Sequence, residues 1–140
     1  MAASTMTLRP VTLLRSALPV VLLTAWTVFM WSNRLRNIAA ADDLAGWTLA
    51  GRLLTAVLFT AAGLALAVTL AWYAATRHPF SLPLVTWLSG PLAVVGSAFW
   101  LIRSTTIILG DHDAEFVAIH LVLAVVSVGL SLWVLRWLQT

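Results

Sequence analysis

Cysteine and lysine are absent from this chain of 140 residues, and charged residues of any kind make up only 9% of it. Without cysteine the protein has no disulfide, no thiolate ligand for zinc and no thiol nucleophile. A soluble domain carries about 25% charged residues, and a domain this small needs polar side chains to cover its surface. Because 61% of the residues are hydrophobic, we expect lipid rather than water around most of the protein.

The basic residues are all arginines, and they form no run along the sequence. A nucleic-acid-binding surface normally shows as a patch or stripe of positive charge, so we expect no nucleic-acid partner. Arginine without lysine, in a background of alanine, leucine, valine and threonine, is typical of a GC-rich bacterial genome. The sequence therefore favours the inner membrane of such a bacterium as the location.

Four long apolar stretches organise the chain. A helix needs about 20 apolar residues to cross a bilayer, and the predicted spans are residues 11–31, 52–73, 82–109 and 115–135. Residues 1–10 form a short polar tail, and residues 11–140 form a single membrane domain. Short links between spans favour an up-down-up-down antiparallel bundle. The predicted fold is thus an all-α integral membrane protein of four transmembrane helices.

The first stretch has a competing interpretation, which is a cleaved signal peptide with its cleavage site at residues 39–41. Arg34 and Arg36 would then lie in an unusually long spacer between the apolar core and that site. With a span instead, residues 32–51 are the first loop. Asp42 or Asp43 in this loop is suited to cap the next helix, because a short acid accepts hydrogen bonds from free backbone N–H groups.

Two further patterns concern packing and orientation. Gly63, Ala67 and Ala71 recur every four residues, which lets another helix backbone approach closely. Trp31 is expected among the aromatic residues at one membrane interface. The arginines divide equally between the two sides, so orientation depends on the first span, which favours cytoplasmic termini.

Most of the ionisable side chains lie in and around the link between the last two spans. At 1.5 Å per residue, Arg103 and His120 both lie roughly 10 Å below the turn at Gly110. At 100° per residue, Ser89 and Gly96 share a face with Arg103, and residues 127 and 131 share one with His120. The candidate polar cluster is Arg103, His120, Asp111, His112, Asp113 and Glu115, with Arg34 and Arg36 from the end of the first span.

Two interpretations of this cluster remain open. An arginine inside the membrane costs at least about 2.5 kcal/mol on insertion scales and usually pairs within the protein. The cluster can therefore be a polar pocket or proton relay, with the acids above it. Alternatively, Arg103 extends to the nearby acids and only fastens the last two helices together.

The spacing of the histidine, acidic and serine residues does not indicate a cofactor site or a catalytic site. Haem held by two histidines needs both at matching depth, and only His120 is predicted within a span. The acids and histidine of residues 111–115 match no strong metal-ligand pattern. No serine, histidine and aspartate spacing indicates a catalytic triad. We therefore predict no cofactor and no enzyme activity.

In size and number of spans the chain resembles several four-helix families, including the small multidrug transporters and the DoxX-like proteins. A small multidrug transporter would carry a glutamate in its first span, and residues 11–31 contain no acid. The resemblance thus implies a four-helix membrane fold and transfers no site residue.

Three functions follow as predictions from these observations. The first is a small non-enzymatic accessory or assembly subunit of a larger inner-membrane respiratory or transport complex. The second is a small transporter, channel or ligand-binding bundle with a polar pocket around Arg103 and His120. The third is a membrane redox or metal protein. The expected partners are the lipid bilayer and either other membrane subunits or further copies of this chain.

Overall fold

The computed structural model describes residues 17–42, 45–76 and 81–140 of the chain. In these ranges the chain folds into four α-helices, which are α1 (Leu18–Ala39), α2 (Gly46–Thr76), α3 (Ser81–Ile108) and α4 (Ala114–Trp137). Three of them, α2, α3 and α4, are long and apolar enough to cross a membrane. The predicted all-helical membrane fold is confirmed to this extent. The polar tail of residues 1–10 lies outside the described residues.

Helix α1 departs from its predicted bounds. It continues through Ala39, eight residues beyond the predicted end at Trp31, so the predicted loop of residues 32–51 is wrong. Residues 32–39 contain neither glycine nor proline, and Ile38 is buried against α2. Hydropathy marks where apolar residues stop, whereas a helix with good helix formers and a packed face continues. The polar residues in this extension also explain why α1 is not among the three span-length apolar helices.

The link between α1 and α2 is correspondingly short. Helix α2 begins at Gly46, whose φ of 61° is one that residues with a Cβ rarely adopt. Asp42 lies four residues before that start, in an exposed turn, and so cannot be the N-cap predicted for it. Asp43, the alternative N-cap, lies outside the described residues.

The turn between α3 and α4 is close to its predicted position. Helix α3 ends at Ile108, and the Gly110 N–H donates a hydrogen bond to the Ile107 carbonyl at 3.3 Å. Asp113 is the N-cap of α4, although its side chain makes no capping hydrogen bond. The turn is therefore short enough to hold α3 and α4 side by side.

Each helix packs against the next one along the chain, and α1 also packs against α4. The main apolar core contains residues from all four helices: Val20, Leu23, Leu66, Val85, Leu92, Ala93 and Val134. A second cluster joins Trp31 and Ile38 of α1 to Ala56 of α2. Trp31 is only 7% exposed, so its side chain packs inside the bundle, and its predicted depth at the membrane interface stays a prediction.

Gly63 marks the closest approach between α1 and α2. A Cβ added to Gly63 would lie 3.0 Å from Val28 Cγ2 and 3.2 Å from Thr27 Cγ2. The close approach predicted for this row of small residues is therefore confirmed at Gly63, where the neighbouring helix is α1 of the same chain, whereas Ala71 is exposed.

Candidate functional site: a cavity between α1, α3 and α4

A cavity of about 460 Å³ lies between the C-terminal half of α1, the C-terminal part of α3 and the N-terminal part of α4. This volume is within the range of pockets that bind small molecules, which is about 300–1,000 Å³. Its lining residues are Phe29, Met30, Trp31, Asn33, Arg34, Asn37, Phe99, Trp100, Arg103, Phe116, Ile119, His120 and Leu123.

Aromatic rings form the inner wall of the cavity. Trp31 stacks on Phe59 with ring centroids 4.4 Å apart, and its edge contacts Phe99 at 5.1 Å. Phe99 in turn meets Trp100 nearly at right angles at 5.9 Å. Packed aromatic pairs of this kind have favourable stacked and edge-to-face geometries. The wall is thus held by contacts that do not depend on anything inside the cavity.

Basic and amide side chains line the part of the cavity nearer the helix ends. Arg34 from α1, Arg103 from α3 and His120 from α4 line it together, although α1 is far from the other two in sequence. Asn33 and Asn37 add amides from the same stretch of α1. Because the apolar residues 29–31 precede these amides by about one turn, the lining changes from apolar to polar along α1.

Arg34 lies past the apolar part of α1, and its electrostatic surroundings are unfavourable. Burial lowers the pKa of its guanidinium, and the positive charges of Arg52 and Arg103 lower it further. In the described part of the chain neither Arg34 nor Arg103 has a hydrogen bond or an ion pair. None of the described lining residues is acidic. The cavity therefore holds two partly buried positive charges that no described residue neutralises.

His120 is held by its own helix. Its Nδ1 lies 2.8 Å from the carbonyl oxygen of Phe116, and a carbonyl can only accept, so Nδ1 carries the proton. The imidazole also packs on the Phe116 ring at 4.0 Å, and Phe116 packs on His112 at 4.9 Å. These contacts fix the orientation of the ring and leave Nε2 as its remaining hydrogen-bonding atom.

The other residues predicted for the cluster lie outside the cavity. Arg36 is exposed and does not line it, although it is only two residues from Arg34. The turn residues are likewise exposed and absent from the lining, and they are Asp111, His112, Asp113 and Glu115. The structure thus brings Arg34, Arg103 and His120 together and leaves the acids at the surface.

Below the cavity the small polar faces of α3 and α4 meet. Ser127 and Ser131 are buried, and a Cβ added to Gly96 would lie 3.9 Å from Ser131 Oγ. Trp26 Nε1 of α1 donates a hydrogen bond of 2.8 Å to Ser127 Oγ, which itself donates to the Leu123 carbonyl. This bond ties α1 to α4 directly beneath the cavity.

The cavity opens toward the outside of the helices between α1 and α4. Phe29 on α1 and Ile119 on α4 both line it, yet they are 60% and 51% exposed. The opening is therefore lateral, on the outer surface of the bundle between α1 and α4.

Sequence reasoning missed the amides and most of the aromatic wall. Asn33, Arg34 and Asn37 fall in the predicted loop, where spacing carries no information about a shared face. Within a helix, Asn37 lies three residues from Arg34 and four from Asn33, so it shares a face with each of them. The signal was present in the sequence, but it could be used only once α1 was known to continue to Ala39.

In the described residues, no group of three or more histidine, aspartate or glutamate side chains gathers as it would around a metal ion. No known protein family, curated protein or solved structure matches the chain. The candidate site therefore has to be interpreted from its own geometry.

Proposed function

We propose that this protein is a small membrane-embedded ligand-binding bundle, whose binding site is the cavity between α1, α3 and α4. The observation that carries the proposal is the cavity itself, which has the volume of a ligand pocket, a rigid aromatic wall and a few convergent polar groups. Its lateral opening at Phe29 and Ile119 admits a ligand from the bilayer. Such a site suits a transporter or a receptor that binds a lipid-like molecule from the bilayer, and neither role needs a catalytic group.

In this proposal residues 11–140 form one up-down-up-down bundle in a bacterial inner membrane, with both termini in the cytoplasm. The short turn between α3 and α4 and the packing of α1 on both α2 and α4 support that order. Helix α1 then crosses the membrane with its apolar part, and its polar extension lies at the interface with Arg34. The polar end of the cavity faces the periplasmic side.

Filling the cavity tests the proposal. Ile119→Trp places an indole at the cavity opening, whereas Val122→Trp adds the same bulk to an exposed position of α4 that does not line the cavity. We expect purified wild type and Val122→Trp to retain a bound small molecule or lipid in native mass spectrometry, and Ile119→Trp to lose it. Equal retention by both variants would show that the ligand lies elsewhere.

An accessory subunit of a larger complex stays the alternative prediction from the sequence. Affinity purification in a mild detergent, followed by mass spectrometry, separates the two functions. A defined set of co-purifying subunits at stoichiometric levels supports the accessory role. A lone chain or homodimer that carries a small ligand supports the binding role.

A further inference from the structure

We propose that the ligand of this cavity is an amphipathic anion, which means a carboxylate or phosphate headgroup on an apolar chain. The inference rests on the proposed binding function and specifies the class of ligand. It follows from two guanidinium groups that no described residue neutralises, the apolar residues deeper in the cavity and the lateral opening between α1 and α4.

The charges in the cavity favour the binding of a counter-ion. Arg34 and Arg103 line the same space, each is only partly exposed, and neither is paired within the described part of the chain. Arginine within a membrane protein normally pairs, because a buried charge without a partner is costly. Here the acids of the 111–113 turn are exposed outside the lining. An anion from outside the protein is the group that satisfies both arginines.

The donors present suit a flat or tetrahedral oxyanion. A guanidinium presents a fork of N–H donors that matches two oxygens of a carboxylate or phosphate. The amides of Asn33 and Asn37 line the same part of the cavity, although Asn33 Nδ2 already donates to the Phe29 carbonyl at 2.9 Å. A cationic headgroup would place positive charge beside two arginines, and a zwitterionic headgroup would offset the gain from its phosphate with its own positive charge.

The remainder of the lining indicates what is attached to the anion. Phe29, Met30, Ile119 and Leu123 are apolar, and two of them also face the outside of the bundle. An alkyl chain lying through the opening would contact these residues and continue into the bilayer. The headgroup then lies near the end of α1 and the chain points toward the membrane centre.

Competition between amphiphiles of one chain length and different headgroups tests this class. The protein is placed in phosphatidylcholine nanodiscs with an undecanoate that carries a dansyl fluorophore, and energy transfer from tryptophan reports its binding. We expect dodecanoate and dodecyl phosphate to displace the probe about tenfold or more better than dodecanol or dodecyltrimethylammonium. Displacement by dodecanol or dodecyltrimethylammonium at equal concentrations would overturn the anion preference.

The arginine variants locate the headgroup. Arg34→Gln and Arg103→Gln should each weaken dodecanoate binding by about tenfold while leaving dodecanol unaffected. Arg36→Gln is the matched control, because it removes the same charge from the same helix at an exposed position outside the cavity. Equal effects of Arg34→Gln and Arg36→Gln would show that only the general surface charge matters, and would overturn the assignment. The wild-type headgroup comparison stands even if one variant fails to fold.

Two outcomes of these experiments distinguish a wrong ligand class from a wrong binding site. If every amphiphile binds equally and Ile119→Trp abolishes all binding, the cavity is a binding site and the anion class is wrong. If Ile119→Trp changes nothing, the proposed function fails.

Adding phosphatidylglycerol to the nanodiscs identifies the source of the anion. Competition by it indicates a lipid headgroup, and its failure to compete with dodecanoate indicates a free single-chain acid.

Discussion

At the scale of single residues, Gly63 lies where α1 and α2 leave the least room. A methyl group at this position would lie 3.0 Å from Val28 Cγ2, and the β-branched valine has little rotamer freedom in a helix. We expect Gly63→Ala to lower stability by about 1–3 kcal/mol, as overpacking does. Thermal unfolding in detergent, followed by circular dichroism, measures the change.

Gly51→Ala is the control for this substitution, because it lies in the same helix and a Cβ there would meet nothing within 4 Å. It should leave stability unchanged or raise it by up to about 1 kcal/mol, since alanine restricts the unfolded chain. A Gly63→Ala protein as stable as Gly51→Ala would mean that α1 and α2 are not in close contact.

The positions of some residues of the candidate site could be predicted from the sequence, and the positions of others could not. Arg103 and His120 flank one short turn, so the rise of a helix is sufficient to place them at equal depth. Arg34 comes from α1, and no local rule relates its position to α3 or α4. The acids of the turn are exposed and do not line the cavity, and closeness to Arg103 along the chain does not by itself bring an acid into contact with it.

At the scale of helices, one hydrogen bond links the first helix to the last. The Trp26 indole of α1 donates to Ser127 Oγ of α4 at 2.8 Å. Hydrogen bonds between membrane helices contribute about 0.6 kcal/mol on average and at most about 1.7 kcal/mol. A double-mutant cycle of Trp26→Phe and Ser127→Ala in an unfolding assay should return a coupling energy in this range.

The control cycle pairs Ser127→Ala with Thr105→Ala, because the exposed Thr105 hydroxyl bonds to the Leu101 carbonyl of its own helix. Its effects should add to within about 0.5 kcal/mol. Equal coupling in both cycles would argue against a direct bond between α1 and α4.

The described residues contain the four predicted helices, and three of them are long and apolar enough to cross a membrane. Hydropathy found α2, α3 and α4 because their apolar stretches occupy most of each helix. It failed at the end of α1 because Asn33, Arg34, Arg36 and Asn37 are polar, and a hydropathy profile does not distinguish a polar helical turn from a loop. Burial of Ile38 against α2 depends on tertiary contact, which a hydropathy profile does not contain.

At the scale of the whole molecule, the absence of cysteine makes the order of the helices open to measurement. Single cysteines at Ala40, Asp111 and Gln139 place reactive thiols at exposed positions at both ends of the bundle. An up-down-up-down chain with cytoplasmic termini should react with a membrane-impermeant maleimide at Ala40→Cys and Asp111→Cys in intact cells. Gln139→Cys should react only after the membrane is permeabilised.

The opposite labelling pattern would reverse the orientation and keep the helix order. Labelling of all three thiols from the same side would contradict the single crossing by α4 that separates Asp111 from Gln139. Asp111→Cys with Gln139→Cys reports on α4, and Ala40→Cys with Asp111→Cys reports on the α2–α3 pair.

Because the cavity opens laterally at Phe29 and Ile119, the affinity of this protein for its ligand is defined by the concentration of the ligand in the bilayer and not in water. A ligand that enters from the bilayer first partitions into it, so the relevant concentration is its mole fraction among the lipids. Dilution of the aqueous phase at a fixed ratio of ligand to lipid should then leave occupancy nearly constant. Addition of empty vesicles should strip the ligand from the protein even though no competitor is present.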